Sequence, residues 1–311
     1  MNQPSAGGTP FAPTTIISLT AFVALLGTTG PALADETFLG NSYSAETLPA
    51  GRKEISQTLT RRWDKGTGTY TAYDFDTEFE YGVTDRFSTS VYLSGAHIKA
   101  KNAWPNDDQG QPAPYNNDLN QTRLSSIKGQ AKYNFLSPYR DGIGLTGVLE
   151  IAYVGWYRKI DLAKTKQISI EPKLIVQKNF LNDQLITSYN LGVEFEKRSF
   201  PESGDAENEL SITNTLGAAY RFAPNWYAGV EARHHADILN GVKNNNTTFF
   251  GPSLHYGTKD WYVTISYLRQ LRGNSPYTGY TADPSAPTAN SRYHLEEDTK
   301  NELRIKVAYE F

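Results

Sequence analysis

The sequence predicts an all-β transmembrane fold, an antiparallel up-and-down β-barrel of about 12 strands with both termini on the periplasmic side. Three observations carry that expectation. Apolar and polar residues alternate with period two over most of the chain, short and long connections alternate along it, and the last segment stays amphipathic to its final residue, Phe311. Composition agrees. The 311 residues are 39% hydrophobic yet 13% aromatic, with 20 Tyr against 14 Phe and 1 Met, a bias toward rings that sit well at a polar boundary.

The first 34 residues carry no charged side chain and are mostly apolar from Thr14 to Leu26, before Pro31-Ala32-Leu33-Ala34 supplies an A-x-A site. This predicts a signal peptide over 1–34, removed after Ala34, although its only positive group ahead of the apolar run is the terminal amine. Residues 35–51 then read as a short periplasmic lead-in, and 52–311 as the barrel. After residue 34 no run approaches the roughly 18 to 20 apolar residues of a spanning helix, so helical insertion of the mature chain is excluded.

The clearest strand lies over 70–81. Tyr73, Phe75, Phe79 and Tyr81 fall on one face and Asp74, Asp76, Glu78 and Glu80 on the other, because successive strand side chains alternate sides. The same reading places strands at 54–63, 70–81, 87–96, 122–135, 143–157, 168–180, 185–197, 210–222, 226–235, 247–256, 261–271 and 302–311. Most are near the roughly 9 to 11 residues that a tilted strand needs to cross a bilayer. Tight links at 82–86, 137–142, 181–184, 223–225 and 257–260 contrast with two long ones, 97–121 and 272–301, which hold Trp104, Tyr115, Tyr277 and Tyr280. Short turns on one side and longer loops on the other define an outer-membrane barrel. Beside the short turns stand Phe87, Tyr133, Phe135, Phe180, Tyr220, Phe222, Trp226, Tyr256 and Trp261, the composition of an aromatic girdle.

The final segment places Leu303, Ile305, Val307, Tyr309 and Phe311 on one face, opposite Glu302, Arg304, Lys306 and Glu310. Chain ends usually fray. A strand amphipathic to its last residue therefore predicts closure against the first strand, since an open edge in lipid leaves backbone groups unsatisfied. An aromatic ending of this kind, with Tyr309 and Phe311, is also similar to the recognition signal read by the barrel-assembly machinery of bacteria. The expected surroundings are outer-membrane lipid and lipopolysaccharide.

If the apolar face meets lipid, the opposite parity lines the interior. It supplies Asp74, Asp76, Glu78, Glu80, Lys128, Lys132, Glu150, Glu171, Lys173, Glu194, Glu196, Arg221, Glu231, Arg233, Arg304 and Lys306. Counting up from the short turns sets Asp74, Lys128 and Arg304 at similar depth, which predicts acidic and basic ladders facing each other across the lumen. Two functions fit such a lining: a narrow passive channel or uptake porin for small solutes, the favoured one, and a non-conducting structural or surface-interaction barrel acting through its long loops.

Other classes find little support. Cys is absent, which removes disulfides, thiolate zinc sites and cysteine nucleophiles. The net charge of −3 is scattered, so nothing marks a nucleic-acid partner. His235 and His255 share the inward parity with Ser253 and Glu231, but no G-x-S-x-G or H-E-x-x-H frames them. A lipid-acting enzyme is the remote reading, and the expectation is no catalytic site. His234 and His235 are adjacent on a strand and point to opposite faces, which argues against a shared metal. No metal or cofactor is expected.

Two stretches carry a family resemblance: Glu46-Thr47-Leu48-Pro49-Ala50-Gly51-Arg52-Lys53-Glu54, and Glu78-Phe79-Glu80-Tyr81-Gly82-Val83-Thr84-Asp85-Arg86. They resemble a family of uncharacterised bacterial outer-membrane barrels, a domain of unknown function, and more distantly the transporter-type barrels of aromatic-compound degradation pathways. The resemblance implies topology and location. It names no substrate and transfers no functional residue.

Overall fold

A computed structural model describes residues 38–65, 68–101, 118–159, 161–273, 293–295 and 297–311. Period-two alternation resolves into twelve strands. They are β1 (Lys53–Trp63), β2 (Thr69–Thr84), β3 (Phe87–Lys101), β4 (Leu119–Leu136), β5 (Gly144–Tyr157), β6 (Ala163–Phe180), β7 (Leu185–Ser199), β8 (Ala206–Ala223), β9 (Trp226–Leu239), β10 (Val242–Gly257), β11 (Trp261–Gly273) and β12 (Asn301–Glu310). Each pairs antiparallel with its sequence neighbours, and β1 closes the ring on β12. The seam runs from Glu54 opposite Glu310 to Trp63 opposite Asn301. At its foot the Lys53 N–H donates to the Phe311 carbonyl at 3.0 Å and the Phe311 N–H to the Lys53 carbonyl at 2.8 Å. The last residue is therefore part of the closure, as its amphipathic strand required.

One rim carries only short links, of which Asp85-Arg86 and Pro224-Asn225 are the tightest. The opposite rim carries 102–118 and 274–300, shorter than expected because β3, β4 and β11 extend into the stretches read as loop. Trp104, Tyr115, Tyr277 and Tyr280 lie outside the described residues. Strands run up to 18 residues, beyond the span of a bilayer, because backbone pairing continues past the apolar band at this rim. The same extension reduces the β9–β10 link to Asn240-Gly241, with φ of 48° and 83°. Those are the positive angles of a tight hairpin turn, which favour this residue pair.

The wall is apolar outside and polar inside. Val91, Leu93, Ile127, Ile151, Ile168 and Leu216 are more than half or half exposed on the outer face, while Ser88, Ser90, Ser94, Thr146, Ser169 and Thr264 are buried within. Such sorting suits a lipid exterior. Rings at the short-turn rim share one height, with Phe222, Trp226, Tyr256 and Trp261 in a row whose successive centroids are 6.4, 4.8 and 5.3 Å apart.

Candidate functional site: the lumen and the segment inside it

Twelve strands enclose more space than their own side chains fill, since about eight is the number at which side chains alone suffice. The chain supplies the filling itself. Residues 35–51 were expected to lie outside the barrel as a periplasmic lead-in, but from Phe38 onward they run inside it. Entry is at the short-turn rim, where the Gly51 N–H donates to the Gly82 carbonyl at 2.8 Å and the Gly82 N–H to the Arg52 carbonyl at 3.0 Å. A Cβ on Gly82 would stand 2.0 Å from the Pro49 carbonyl oxygen, so the close approach requires glycine there.

Further in, the Ala45 N–H donates to Gln177 Oε1 at 2.8 Å and its carbonyl accepts from Asn134 Nδ2 at 2.6 Å and from the Thr146 hydroxyl. The Tyr43 N–H donates to Asn190 Oδ1 at 2.6 Å, and the Ser188 hydroxyl donates to the Tyr43 carbonyl at 2.6 Å. At mid-barrel the Glu231 carboxylate accepts three successive backbone N–H groups, from Gly40 at 2.8 Å, Asn41 at 2.7 Å and Ser42 at 3.0 Å. Arg304 donates to the Gly40 carbonyl at 3.0 Å. The chain then turns back, and Phe38 and Leu39 pack with Ile186, Ala219 and Tyr227. His255 meets Phe38 edge-on with centroids 5.3 Å apart and bonds the Thr264 hydroxyl through Nδ1 at 2.8 Å. A buried segment without ladder bonds needs side-chain partners for its backbone, and the lumen's amides, hydroxyls and acids are those partners.

All sixteen lumen candidates, from Asp74 to Lys306, occupy inward register positions, but the facing ladders do not form. Pairing is lateral. Asp74 binds Arg62 of the adjacent strand at 2.5 Å, Lys128 binds Glu150 at 3.2 Å, Lys173 binds Glu171 at 2.9 Å and Glu150 at 3.7 Å, and Lys306 reaches Glu78 at 3.6 Å and Glu54 at 3.9 Å. Arg233 grips Glu302 with two bonds of 2.8 Å. The inserted segment occupies the centre, so opposed walls meet it before they meet each other. Asp76 takes Arg158 at 3.1 Å, from the β5–β6 link, and Lys132 and Glu80 are buried near the short-turn rim.

Toward the long-loop rim stands a second charged assembly. Lys159, from the β5–β6 link, lies 3.0 Å from Glu209, 3.7 Å from Asp237 and 3.8 Å from Glu297. These three carboxylates converge to within 4.8 Å of one another, the one group among the described residues arranged as a cation would need, and the Lys159 ammonium already stands among them. Burial opposes that ammonium, but Asp237 and Glu209 outweigh it and hold its pKa well above the ordinary value. Burial pushes the Glu297 carboxyl up. His235 bridges Thr213 at 2.8 Å and Asp237 at 3.0 Å in this assembly. His255 lies instead beside Phe38, and the Glu231 carboxylate is committed to the inserted backbone.

Between the two assemblies lies a cavity of about 180 Å³, lined by polar groups that include Tyr43, Lys173, Asn190, Thr213, Arg233 and Arg304. The described contacts of Arg304 are to the Gly40 carbonyl and to Thr60 Oγ1 at 3.1 Å, none to a carboxylate. Arg62, Arg158, Lys159 and Glu302 are among the paired lumen residues absent from the list drawn from the sequence. Arg62 and Glu302 shared the inward parity of their strands and were open to the same count; the two link residues were not.

A closed antiparallel ring with an apolar exterior, an aromatic girdle and a charged lumen is an outer-membrane β-barrel by class of fold. The model of the family of unknown function DUF6662 matches residues 31–311, and the chain belongs to that family. A comparison with curated proteins finds no match. Among solved structures the chain is similar to the COG4313 outer membrane channel from Pseudomonas putida F1, with a TM-score of 0.63 and 12% identity over 89% of this chain and 100% of that one. It is also similar to the beta domain of the Bordetella autotransporter BrkA, with a TM-score of 0.58 and 11% identity over 84% of this chain and 100% of that one. At these identities the likeness is one of fold.

Proposed function

We propose that the protein is a narrow passive channel for small polar solutes in the bacterial outer membrane, with the short-turn rim toward the periplasm and its own segment 38–51 as an inner constriction. The observation that carries this reading is the cavity at mid-barrel, lined by Lys173, Arg233, Arg304, Asn190 and Thr213 and bounded below by a segment whose backbone is held through reversible hydrogen bonds to lumen side chains. A barrel serving only as a scaffold has no need of such a lining. The outer-membrane lipids, and the assembly machinery engaged through Tyr309 and Phe311, are its proposed partners, and catalysis has no part in the reading.

Planar-bilayer recording of the refolded chain tests it. Discrete conductance steps that widen when residues 35–48 are deleted support the channel. Silence of both forms across voltage and pH overturns it and favours the non-conducting surface barrel.

A further inference from the structure

Charge is sorted across the wall by sign. Every Asp and Glu in the twelve strands takes an inward register position, whereas Lys and Arg occur on both faces. On the outer face of the long-loop half, Lys164 and Lys166 of β6 and Lys197 of β7 are exposed side by side. Lys197 stands opposite Ile168, Lys166 opposite Ser199 and Lys164 opposite Trp156, so the three ammonium groups form one diagonal patch. Directly beneath them on the same face lie Ile168, Ile170 and Phe195, which are 59%, 45% and 55% exposed. None of the three lysines has a carboxylate partner among the described residues. Arg61, Lys99 and Arg269 repeat the pattern elsewhere on the outer face.

Unopposed cations at the upper edge of a lipid-facing apolar band complement one chemistry: phosphate monoesters held at that height by acyl chains that cover the band below. We propose that Lys164, Lys166 and Lys197 form a docking surface for a phosphorylated, acylated glycolipid of the outer leaflet. The orientation rests on the functional reading above, but the surface itself does not require the lumen to conduct.

The test is native mass spectrometry of the detergent-folded full chain with diphosphoryl lipid A as probe. Wild type retains the lipid, and retention weakens as salt rises. The Lys164→Gln/Lys166→Gln/Lys197→Gln variant binds roughly a hundredfold more weakly, at about fivefold per charge removed. A Lys→Arg triple variant retains binding, which separates lost charge from lost structure. A Lys53→Gln/Lys178→Gln variant, altered at the short-turn rim, binds as wild type. Equal binding by the Gln triple and wild type, equal loss in the rim control, or salt-independent binding overturns the proposal. Conductance is recorded on the same preparations, so a silent barrel that still binds lipid A through these lysines refutes the channel and spares the docking surface.

Discussion

Replacing Glu231 by Ala removes the acceptor of three consecutive amides of the inserted segment, those of Gly40, Asn41 and Ser42, at 2.7 to 3.0 Å. Hydrogen bonds to a charged group contribute about 1.5–3 kcal/mol each, so the trio has an upper bound of roughly 4–9 kcal/mol. Water entering the vacated space rebinds the amides and recovers part of that, leaving about 3–4 kcal/mol and a shift of roughly 10²–10³ in the equilibrium between docked and released segment. The wall keeps its ladder bonds, so barrel stability changes little. Hydrogen exchange at Gly40 to Ser42 reads the docking directly, and single-channel recording reads the opening. The expected result is loss of amide protection with longer or larger conductance steps. Protection equal to wild type in a folded Glu231→Ala barrel would show that Glu231 does not hold the segment and refute the reasoning.

Three further outcomes follow from the same geometry. Gly40→Val should expel the segment while leaving the wall folded, because even a Cβ there would stand 2.0 Å from Ser266 Oγ; protease cleavage within 38–48, absent in wild type, measures it. Arg233→Ala strands the buried Glu302 carboxylate and should lower stability by about 3–5 kcal/mol, whereas the Arg233→Met/Glu302→Leu double variant should lose much less; thermal melts of the set, with equal losses as the adverse result, check it. Deleting Phe311 removes both backbone bonds that finish the seam with Lys53 and should slow assembly, seen as a smaller heat-modifiable fraction at early times.

The wall was legible in the sequence because strand parity is a local property. Tyr73 to Tyr81 and Leu303 to Phe311 each declare two faces without reference to the rest of the chain, and the closing pair is fixed once both ends are amphipathic. The strand ends were less legible. Backbone pairing of β9 with β10 continues after the apolar alternation stops, although Asn240-Gly241 was a readable hairpin signal. The inserted segment was the least legible part. Phe38 to Gly51 has no period of its own, and its main anchor is Glu231 holding backbone amides, an interaction that counting opposite side-chain charges cannot find. The same omission explains the failed ladders, since parity gives the side of the wall a residue faces and not what fills the space in front of it.

The joint between that segment and the wall sets how any opening must behave in time. Gly51, at φ +81°, is bonded to Gly82, and Arg52 alone separates it from the first residue of β1. With no slack beyond this hinge, a released segment swings but cannot diffuse away, and its effective concentration at the vacated lumen stays in the millimolar range typical of short tethers. Reclosure is then a first-order event, independent of how many copies share the membrane. The recorded current should flicker between levels within one molecule, with no partner needed to restore the closed state.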